Sequence, residues 1–265
     1  MKPSPWSELP PEQARHAIGV LTDIDDTLTT EGAITPEALS ALAALRAAHI
    51  PVMAITGRPM GWSEPFSRDW PIDAIVAENG AVALFREGGA LRIEYAQDEP
   101  TRRHNAQRLR EVAQRVLREV PGATLAQDSA GRVTDIAVDH SEFAHLGDAQ
   151  IEQVVQLMRG EGMNATVSSI HINGWFGEHT KLSGARWIVQ RLLGRALDAD
   201  TARWVYVGDS TNDQLMFAHF PLSVGVANLM RFAAQLQTWP AYLTRCERGE
   251  GFAEVARALL TARGG

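Results

Sequence analysis

The chain has 265 residues, of which 45% are hydrophobic and 22% are charged, and its formal net charge at pH 7 is −7. These values are typical of a folded globular protein and exclude disorder as the main state. The acidic balance gives no general attraction for nucleic acid or for an anionic membrane, because both need concentrated basic charge. We therefore expect neither as a partner, and the length leaves room for a core domain with a second, smaller unit.

Cysteine content and the amino terminus predict a cytoplasmic protein. Cys246 is the only cysteine, so an intrachain disulfide is excluded and nothing indicates an oxidising compartment. The first residues, MKPSPWSELPPEQ, contain no apolar stretch of the kind that a secretory signal needs. No later run approaches the roughly 18 apolar residues of a membrane span. The sequence does not indicate an oligomeric state.

The first third of the chain alternates apolar strands with a helix, after a Pro-rich start that we interpret as a tail. Thr35 followed by Pro36 is typical of an N-cap and a first helical position. Strand–helix–strand units with short joints give parallel strand pairs, so we predict a doubly wound α/β sheet. The predicted elements are a strand at 18–24, a helix from 36 to about 48, and strands at 51–55 and 72–77.

This alternation is interrupted after residue 80 and returns after residue 176. The interrupting elements are strands at 81–85 and 91–95 joined as a hairpin, a helix at about 101–120, a strand at 133–138, a helix at about 148–159, and strands at 165–170 and 172–176. The returning elements are a helix that follows Lys181 and runs to about residue 193, strands at 204–207 and 222–226, and helices near 231–236 and 252–262. We predict a catalytic core made of residues 1–83 and 177–265, with an inserted α/β cap domain at 84–176.

Acidic residues follow two of the predicted strands. Asp23 and Asp25 end the first strand, and Asp209 and Asp213 follow a late one. Ligands of a parallel α/β sheet bind at the carboxyl ends of its strands, and alternation lets Asp23 and Asp25 face that crevice while Ile24 enters the core. A single acid after a strand is usually a solvated turn or cap. Four acids at two strand ends favour a divalent cation instead, and Mg²⁺ suits carboxylate oxygens with waters and a phosphate.

The acidic segments belong to a longer series of motifs. In chain order these are Asp23-Ile24-Asp25-Asp26-Thr27-Leu28, Thr56-Gly57-Arg58, Lys181 and Gly208-Asp209-Ser210-Thr211-Asn212-Asp213. The series resembles the four motifs of the haloacid dehalogenase superfamily of phosphatases, over nearly the whole chain. Two further segments resemble its subfamily IIB, which includes Cof-like, sucrose-phosphate and mannosyl-3-phosphoglycerate phosphatases: Glu78-Asn79-Gly80-Ala81 and Val224-Gly225-Val226-Ala227-Asn228. The resemblance implies a Rossmann-like core with an inserted α+β cap of type C2.

The resemblance also implies a role for each motif residue. Asp23 is expected to be the nucleophile, forming an aspartyl phosphate, and Asp25 the general acid/base. Thr56 and Lys181 are expected to bind the oxygens of the transferred phosphoryl group. The implied ligands of Mg²⁺ are the Asp23 carboxylate, the Asp25 backbone carbonyl and Asp209, with Asp213 as a ligand or as a partner of one.

Two positions depart from the family pattern. Lys181 is followed by Leu182, where the family usually has glycine or serine, although the only other lysine is Lys2, near the amino terminus. Asp26 replaces a common glycine, and its side chain is expected to point away from the metal.

Substrate-binding residues are predicted on both units. The candidates are Thr56, Gly57, Arg58 and Asn212 in the core, and His171, Asn173 and Trp175 in the cap. Arg58 is equally compatible with a substrate contact and with pairing to an acid, and Asn212 with a loop-fixing role or a plain turn. The three cap residues share one face of a strand by alternation, where they could receive a sugar or polyol. The alternative is that Trp175 packs the hinge and His171 is solvated.

We predict hydrolysis of a small phosphorylated metabolite, either a sugar phosphate or a sugar-phosphoglycerate. A phosphomutase or phosphotransferase is the nearest alternative, because capped phosphomannomutases share the four motifs. A non-catalytic binding or regulatory domain is disfavoured, since clustered like charges destabilise a protein that makes no use of them.

Overall fold

A computed structural model describes residues 2–264 of the chain. Its strands are β1 (Ser4–Pro5), β2 (Gly19–Thr22), β3 (Thr29–Thr30), β4 (Ala33–Ile34), β5 (Val52–Ile55), β6 (Ala74–Ala77), β7 (Val82–Glu87), β8 (Ala90–Tyr95), β9 (Thr124–Leu125), β10 (Asp135–Asp139), β11 (Asn164–Val167), β12 (His171–Trp175), β13 (Trp204–Gly208), β14 (Leu222–Gly225) and β15 (Tyr242–Leu243). Its α-helices are α1 (Pro11–His16), α2 (Pro36–Ala47), α3 (Met60–Asp69), α4 (Glu99–Glu119), α5 (Asp148–Gly160), α6 (Lys181–Leu193), α7 (Gln214–His219) and α8 (Arg248–Gly264). No helix within this range has both the length and the apolar character that crossing a bilayer requires.

Nine of the strands form one large sheet in the order β1-β15-β14-β13-β2-β5-β6-β7-β8. All neighbours from β1 to β6 are parallel, and β7 and β8 are added in antiparallel fashion. Because β2 lies between β13 and β5, the direction of the connections reverses at β2. Open α/β sheets bind ligands at the crevice beside such a point. The predicted doubly wound α/β core is confirmed.

Helices cover both faces of this sheet, which explains why its central strands are apolar throughout. Val20 packs with α2 and α8 in one hydrophobic cluster, and its neighbour Leu21 packs with α6 and α7 in another. All four residues of β2 are buried. Parallel strands buried on both faces have continuous rather than alternating hydrophobic patterns, and this made them easy to recognise in the sequence.

A second sheet, in the order β11-β12-β10-β9, is antiparallel and carries helices on one face only. Val112 of α4, Val154 of α5 and Ile172 of β12 share the hydrophobic cluster beneath those helices. The opposite face is polar and lies over the carboxyl ends of the core strands. The predicted α+β cap is thereby confirmed as part of the fold.

Sheet membership suggests a revised division of the chain. The prediction placed residues 84–95 in the cap, whereas the hairpin of β7 and β8 pairs with β6 and extends the large sheet. We therefore propose that the cap comprises residues 98–176, and that the hairpin belongs to the core.

Three local predictions were wrong or incomplete. The Pro-rich start is not a tail, because β1 pairs with β15 and Trp6 is buried edge-on against Tyr242. The expected helix near 231–236 is a 3-10 helix at Ala227–Phe232. Helix α3 was not predicted, since Pro65 interrupts its pattern. All three elements are short and depend on tertiary contacts more than on local propensity.

Candidate active site

Three buried carboxylates and one lysine meet at the carboxyl ends of β2 and β13. Carboxylate oxygens of Asp23, Asp209 and Asp213 all lie within 4.8 Å of one another. Lys181 Nζ donates hydrogen bonds to Asp23 Oδ1 and Asp213 Oδ1, each at 2.8 Å. The structure thus brings together residues that are up to 190 positions apart in the chain, at the edge of the sheet where the sequence placed them.

The turn after β2 positions the first motif. The backbone N–H of Asp23 donates to the Val207 carbonyl at 2.8 Å, which continues the pairing of β2 with β13. Ile24 is fully buried in the core, as alternation predicts. Asp26 has a φ of 53° in the left-handed region, and its carboxylate pairs with Arg248 at 3.1 Å. It therefore points away from the three-carboxylate group, as expected.

The loop after β13 is organised by Asp213. Its carboxylate accepts from the backbone N–H groups of Asp209 (2.9 Å) and Ser210 (3.2 Å) and from the Tyr206 hydroxyl, in addition to Lys181. A Cβ at Gly208 would lie 2.4 Å from Asp213 Oδ2, so only glycine leaves room for this carboxylate. Asp213 is thus fully engaged in holding the loop.

Burial shapes the electrostatics of the group. It raises the pKa of Asp23 to about 7, although Lys181 acts in the opposite direction, and it raises the pKa of Asp209 well above its ordinary value. Burial alone would lower the pKa of Lys181, but Asp213 and Asp23 outweigh it and hold that pKa above the usual range. Three carboxylates against one ammonium leave two formal negative charges to be neutralised.

These residues fit a divalent cation. Asp209 is fully buried, and its Oδ1 has no hydrogen-bond partner in residues 2–264, while Oδ2 accepts from Asn228 at 3.3 Å. A buried carboxylate oxygen without a donor is costly unless a cation binds it. The Asp25 side chain lies outside the three-carboxylate group. The contact between the Asp25 backbone carbonyl and Mg²⁺, which the family resemblance implies, stays a prediction.

Asparagine at position 209 is expected to abolish stabilisation by Mg²⁺. At a Mg²⁺ concentration 100 times the dissociation constant, binding should stabilise the parent by about 2.7 kcal/mol, or roughly 5–10 °C in the unfolding temperature. Asp209→Asn should show almost no such shift. Thermal unfolding with Mg²⁺ and with chelator measures this, with the exposed Asp69→Asn as control. A full Mg²⁺ shift in Asp209→Asn would contradict the assignment.

The Asp25 carboxylate lies beside this group and is held by Arg58. Arg58 Nε donates to both carboxylate oxygens, at 2.9 and 3.1 Å. The same guanidinium donates to Glu142 at 2.8 Å and to Asp128 at 3.1 Å, both in the cap. Of the two alternatives for Arg58, pairing with acids is the one that the structure shows.

Thr56 and Gly57 connect the core to the cap. Thr56 is fully buried at the end of β5, and its Oγ1 accepts from the backbone N–H of Arg58 at 3.0 Å. The Gly57 carbonyl accepts from Arg132 Nη1 at 2.9 Å and from Asn173 Nδ2 at 3.3 Å. The second motif therefore lies directly under the cap.

The predicted face of β12 is present, and its side chains are already engaged. His171 Nε2 lies 2.9 Å from Glu142 Oε2, and Asn173 donates to Asp135 at 3.1 Å. Trp175 Nε1 donates to the His179 carbonyl at 2.9 Å, and the two rings stack with centroids 5.6 Å apart. Trp175 thus packs the hinge, as one alternative predicted, whereas His171 is buried and the prediction of a solvated side chain was wrong.

A cavity of about 370 Å³ opens between cap and core beside Lys181. Its lining is neutral apart from Lys181 and Arg159, and it contains no acidic residue of the described chain. The Thr166 hydroxyl and the Asn79 amide nitrogen are both buried without a hydrogen-bond partner in residues 2–264. The lining residues are Asn79, Arg159, Met163, Asn164, Ala165, Thr166, Trp175, Thr180, Lys181, Asn212 and Leu215.

Several residues of the site and of the cap above it were not predicted from the sequence. Asn79 and Asn228 lie in segments that were noticed as motifs, but neither was given a role. Asn79 has a left-handed φ of 55°, which asparagine tolerates better than most residues. Glu142 lies in a cap loop and Thr166 in a short strand, and neither has a local pattern that marks it.

Comparisons with known proteins agree with this geometry. Residues 20–108 match the family model of haloacid dehalogenase-like hydrolases, and no match was found among curated protein sequences. Among solved structures, the chain is similar to the C-terminal domain of trehalose-6-phosphate phosphatase from C. albicans, with 14% identity, coverage of 98% of this chain and 99% of that chain, and a TM-score of 0.69. It is also similar to the sucrose-phosphatase of Synechocystis, crystallised with sucrose and phosphate (16% identity, 92% and 98% coverage, TM-score 0.64).

A third similar structure is a sugar phosphatase of haloacid dehalogenase subclass IIB, with 17% identity, 91% and 96% coverage and a TM-score of 0.59. At these identities the likeness is one of fold, and it extends over both core and cap. Together with the match over residues 20–108, it confirms the resemblance to the haloacid dehalogenase superfamily.

Proposed function

We propose that this haloacid dehalogenase-like hydrolase is a Mg²⁺-dependent phosphatase that acts on a small phosphorylated sugar. The observation that supports the proposal is the position of Asp23: a buried carboxylate at the switch point of the sheet, fixed by Lys181 and adjacent to the unpartnered oxygen of Asp209. A polar cap face lies above it.

In the first step, a carboxylate oxygen of Asp23 attacks the phosphorus of the substrate. The bond from phosphorus to the sugar oxygen breaks, and Asp25 gives a proton to the departing alkoxide. Lys181 donates to Asp23 Oδ1, which leaves the other oxygen for the attack. Thr56 and Lys181 stabilise charge on the phosphoryl oxygens. A bound Mg²⁺ would neutralise the carboxylates and orient the phosphate.

In the second step, water displaces Asp23 from phosphorus. Asp25, now a carboxylate, takes a proton from the attacking water, and the bond from phosphorus to Asp23 breaks. Inorganic phosphate leaves, and Asp23 returns to its starting state. The cap limits access of water to the site until the intermediate has formed.

A sugar fits the cavity beside Lys181 better than an apolar or strongly cationic group. The lining offers several neutral hydrogen-bonding side chains, among them Asn79, Asn164 and Thr166. Two of the similar structures are a trehalose-6-phosphate phosphatase and a sucrose-phosphatase. Arg159 would also suit a carboxylate, as in a sugar-phosphoglycerate.

A phosphate-release screen over phosphorylated sugars, polyols, sugar-phosphoglycerates and nucleotides tests the proposal. We expect the highest rates with a sugar ester and a complete loss of activity when chelator removes Mg²⁺. Inactivity across the whole panel would contradict hydrolysis. Phosphoryl exchange between sugars without phosphate release would instead assign the chain to the phosphomutases.

A further inference from the structure

One buried guanidinium links the cap to the proposed general acid/base. Arg58 is 5% exposed and contacts three carboxylates: Asp25 in the core, and Asp128 and Glu142 in the cap. Asp128 also pairs with Arg132, whereas Glu142 pairs with no second arginine or lysine within residues 2–264 and has His171 Nε2 as its other neighbour. Arg58 therefore joins Asp25 to the cap by way of Glu142.

The loop that carries Glu142 is held by contacts that do not involve Arg58. The Asp139 carboxylate accepts hydrogen bonds from all four backbone N–H groups of residues 141–144, at 2.9–3.1 Å. Of the Glu142 carboxylate oxygens, Oε1 accepts from Arg58 at 2.8 Å and Oε2 lies 2.9 Å from His171. Partial burial opposes ionisation, but hydrogen bonds from His171 and Arg58 lower the pKa of Glu142 to about 2. It is thus a carboxylate at any ordinary pH.

Docking of the cap does not depend on Glu142. Arg132 already ties the cap to the core through the Gly57 carbonyl, and Asn173 adds a second bond to the same atom. Glu78 of the core also accepts from the backbone N–H groups of Val133 and Thr134. What Glu142 adds is a second anchor on the guanidinium that holds Asp25.

We propose that Glu142 is a positioning residue: when the cap closes, it fixes Arg58, and Arg58 then orients the Asp25 carboxyl group, the proton donor of the first step, toward the sugar oxygen. This inference rests on the proposed phosphatase activity. With the cap open, Arg58 loses two of its three carboxylates, and its side chain no longer has a single preferred orientation. Proton transfer from Asp25 thereby becomes coupled to closure, and such coupling confines the reaction to a site from which water is excluded.

The test compares Glu142→Gln with two substrates that differ in their need for a proton. The alkoxide of a sugar phosphate needs protonation as it leaves, whereas the nitrophenolate of p-nitrophenyl phosphate does not. Under single turnover with excess enzyme, the rate of substrate consumption reports the first step alone. For Glu142→Gln we expect a loss of about tenfold or more with the sugar phosphate, within the range of general acid catalysis, and less than a twofold change with p-nitrophenyl phosphate.

Glu152→Gln is the matched control, because Glu152 lies exposed on the cap helix α5 and accepts a hydrogen bond from Gln156. It should match the parent with both substrates. Glu142→Asp keeps the charge but has a shorter side chain. It should lose activity with the sugar phosphate, but less than Glu142→Gln does, and keep its activity with p-nitrophenyl phosphate. If Glu142→Gln does not fold, Glu142→Asp provides the test.

Three other outcomes would contradict either the role of Glu142 or the proposed function. Equal losses of both activities in Glu142→Gln would overturn the inference in favour of a structural role in the cap, and unchanged rates with both substrates would overturn it outright. A parent enzyme without activity on any phosphate ester would instead refute the proposed function.

Discussion

Replacement of Asp23 by asparagine is expected to stop turnover. The amide cannot attack phosphorus, and loss of a covalent nucleophile lowers kcat by about 10⁴-fold or more in comparable enzymes. Phosphate release in Mg²⁺ measures the effect, and acid-stable labelling from a ³²P-substrate should disappear with it. Asp26→Asn is the matched control, since Asp26 is the neighbouring acid but pairs with Arg248. Retention of more than a few per cent of parent activity in Asp23→Asn would contradict the assignment.

The same variant is expected to be more stable than the parent when Mg²⁺ is absent. Burial raises the pKa of Asp23 to about 7 in the folded protein, from 3.8 in the unfolded chain. The folded state therefore binds the proton more tightly, and the parent loses stability as pH rises from about 4 to about 7. Asparagine removes this loss, so at pH 8 in chelator the free energy of unfolding should rise by about 1–3 kcal/mol. A fall in stability at pH 8 would show that the bond from Lys181 to Asp23 outweighs burial.

The sequence predicted the parts of this site that depend on the ends of parallel strands. Asp23, Thr56 and Asp209 converge because β2, β5 and β13 are neighbours in one sheet and all end at the same edge. Lys181 was predicted differently, from its place in the motif series and because the only other lysine is Lys2; the structure places it at the start of α6, after the N-cap Thr180. Strand ends and motif order are features that a single sequence can reveal.

The contacts between cap and core follow no such rule. Arg58 meets Asp128 and Glu142 across 70 and 84 residues of chain; Asp128 lies in a short 3-10 helix and Glu142 in a loop, and neither segment has hydrophobic periodicity. Their positions depend on how the polar face of the cap sheet meets the core, which is a matter of side-chain packing between two units. Sequence analysis therefore left two roles open for Arg58, and the structure shows its pairing with acids.

Replacement of Lys181 by methionine is expected to cost both activity and stability. Lys181 is 4% exposed and lies 2.8 Å from each of two carboxylates, so its removal leaves Asp23 and Asp213 facing each other without a cation. Breaking a buried ion pair by removing one partner typically destabilises a protein by about 3–5 kcal/mol. Loss of the positive charge beside the transferred phosphoryl group should lower kcat by roughly 10²–10³-fold. Denaturant unfolding in chelator and phosphate release measure the two effects.

Two inactive variants of one cluster should thus shift stability in opposite directions. Before metal binds, the group holds three carboxylates and one ammonium, so removing an acid relieves repulsion and removing the lysine increases it. Mg²⁺ should restore part of the stability that Lys181→Met loses, because the cation screens the same carboxylates. Arg186→Met on the exposed face of α6 removes an ion pair with Asp198 and should change stability by less than about 1 kcal/mol. If Lys181→Met unfolds at the same denaturant concentration as the parent, the buried charges are balanced by something other than this lysine.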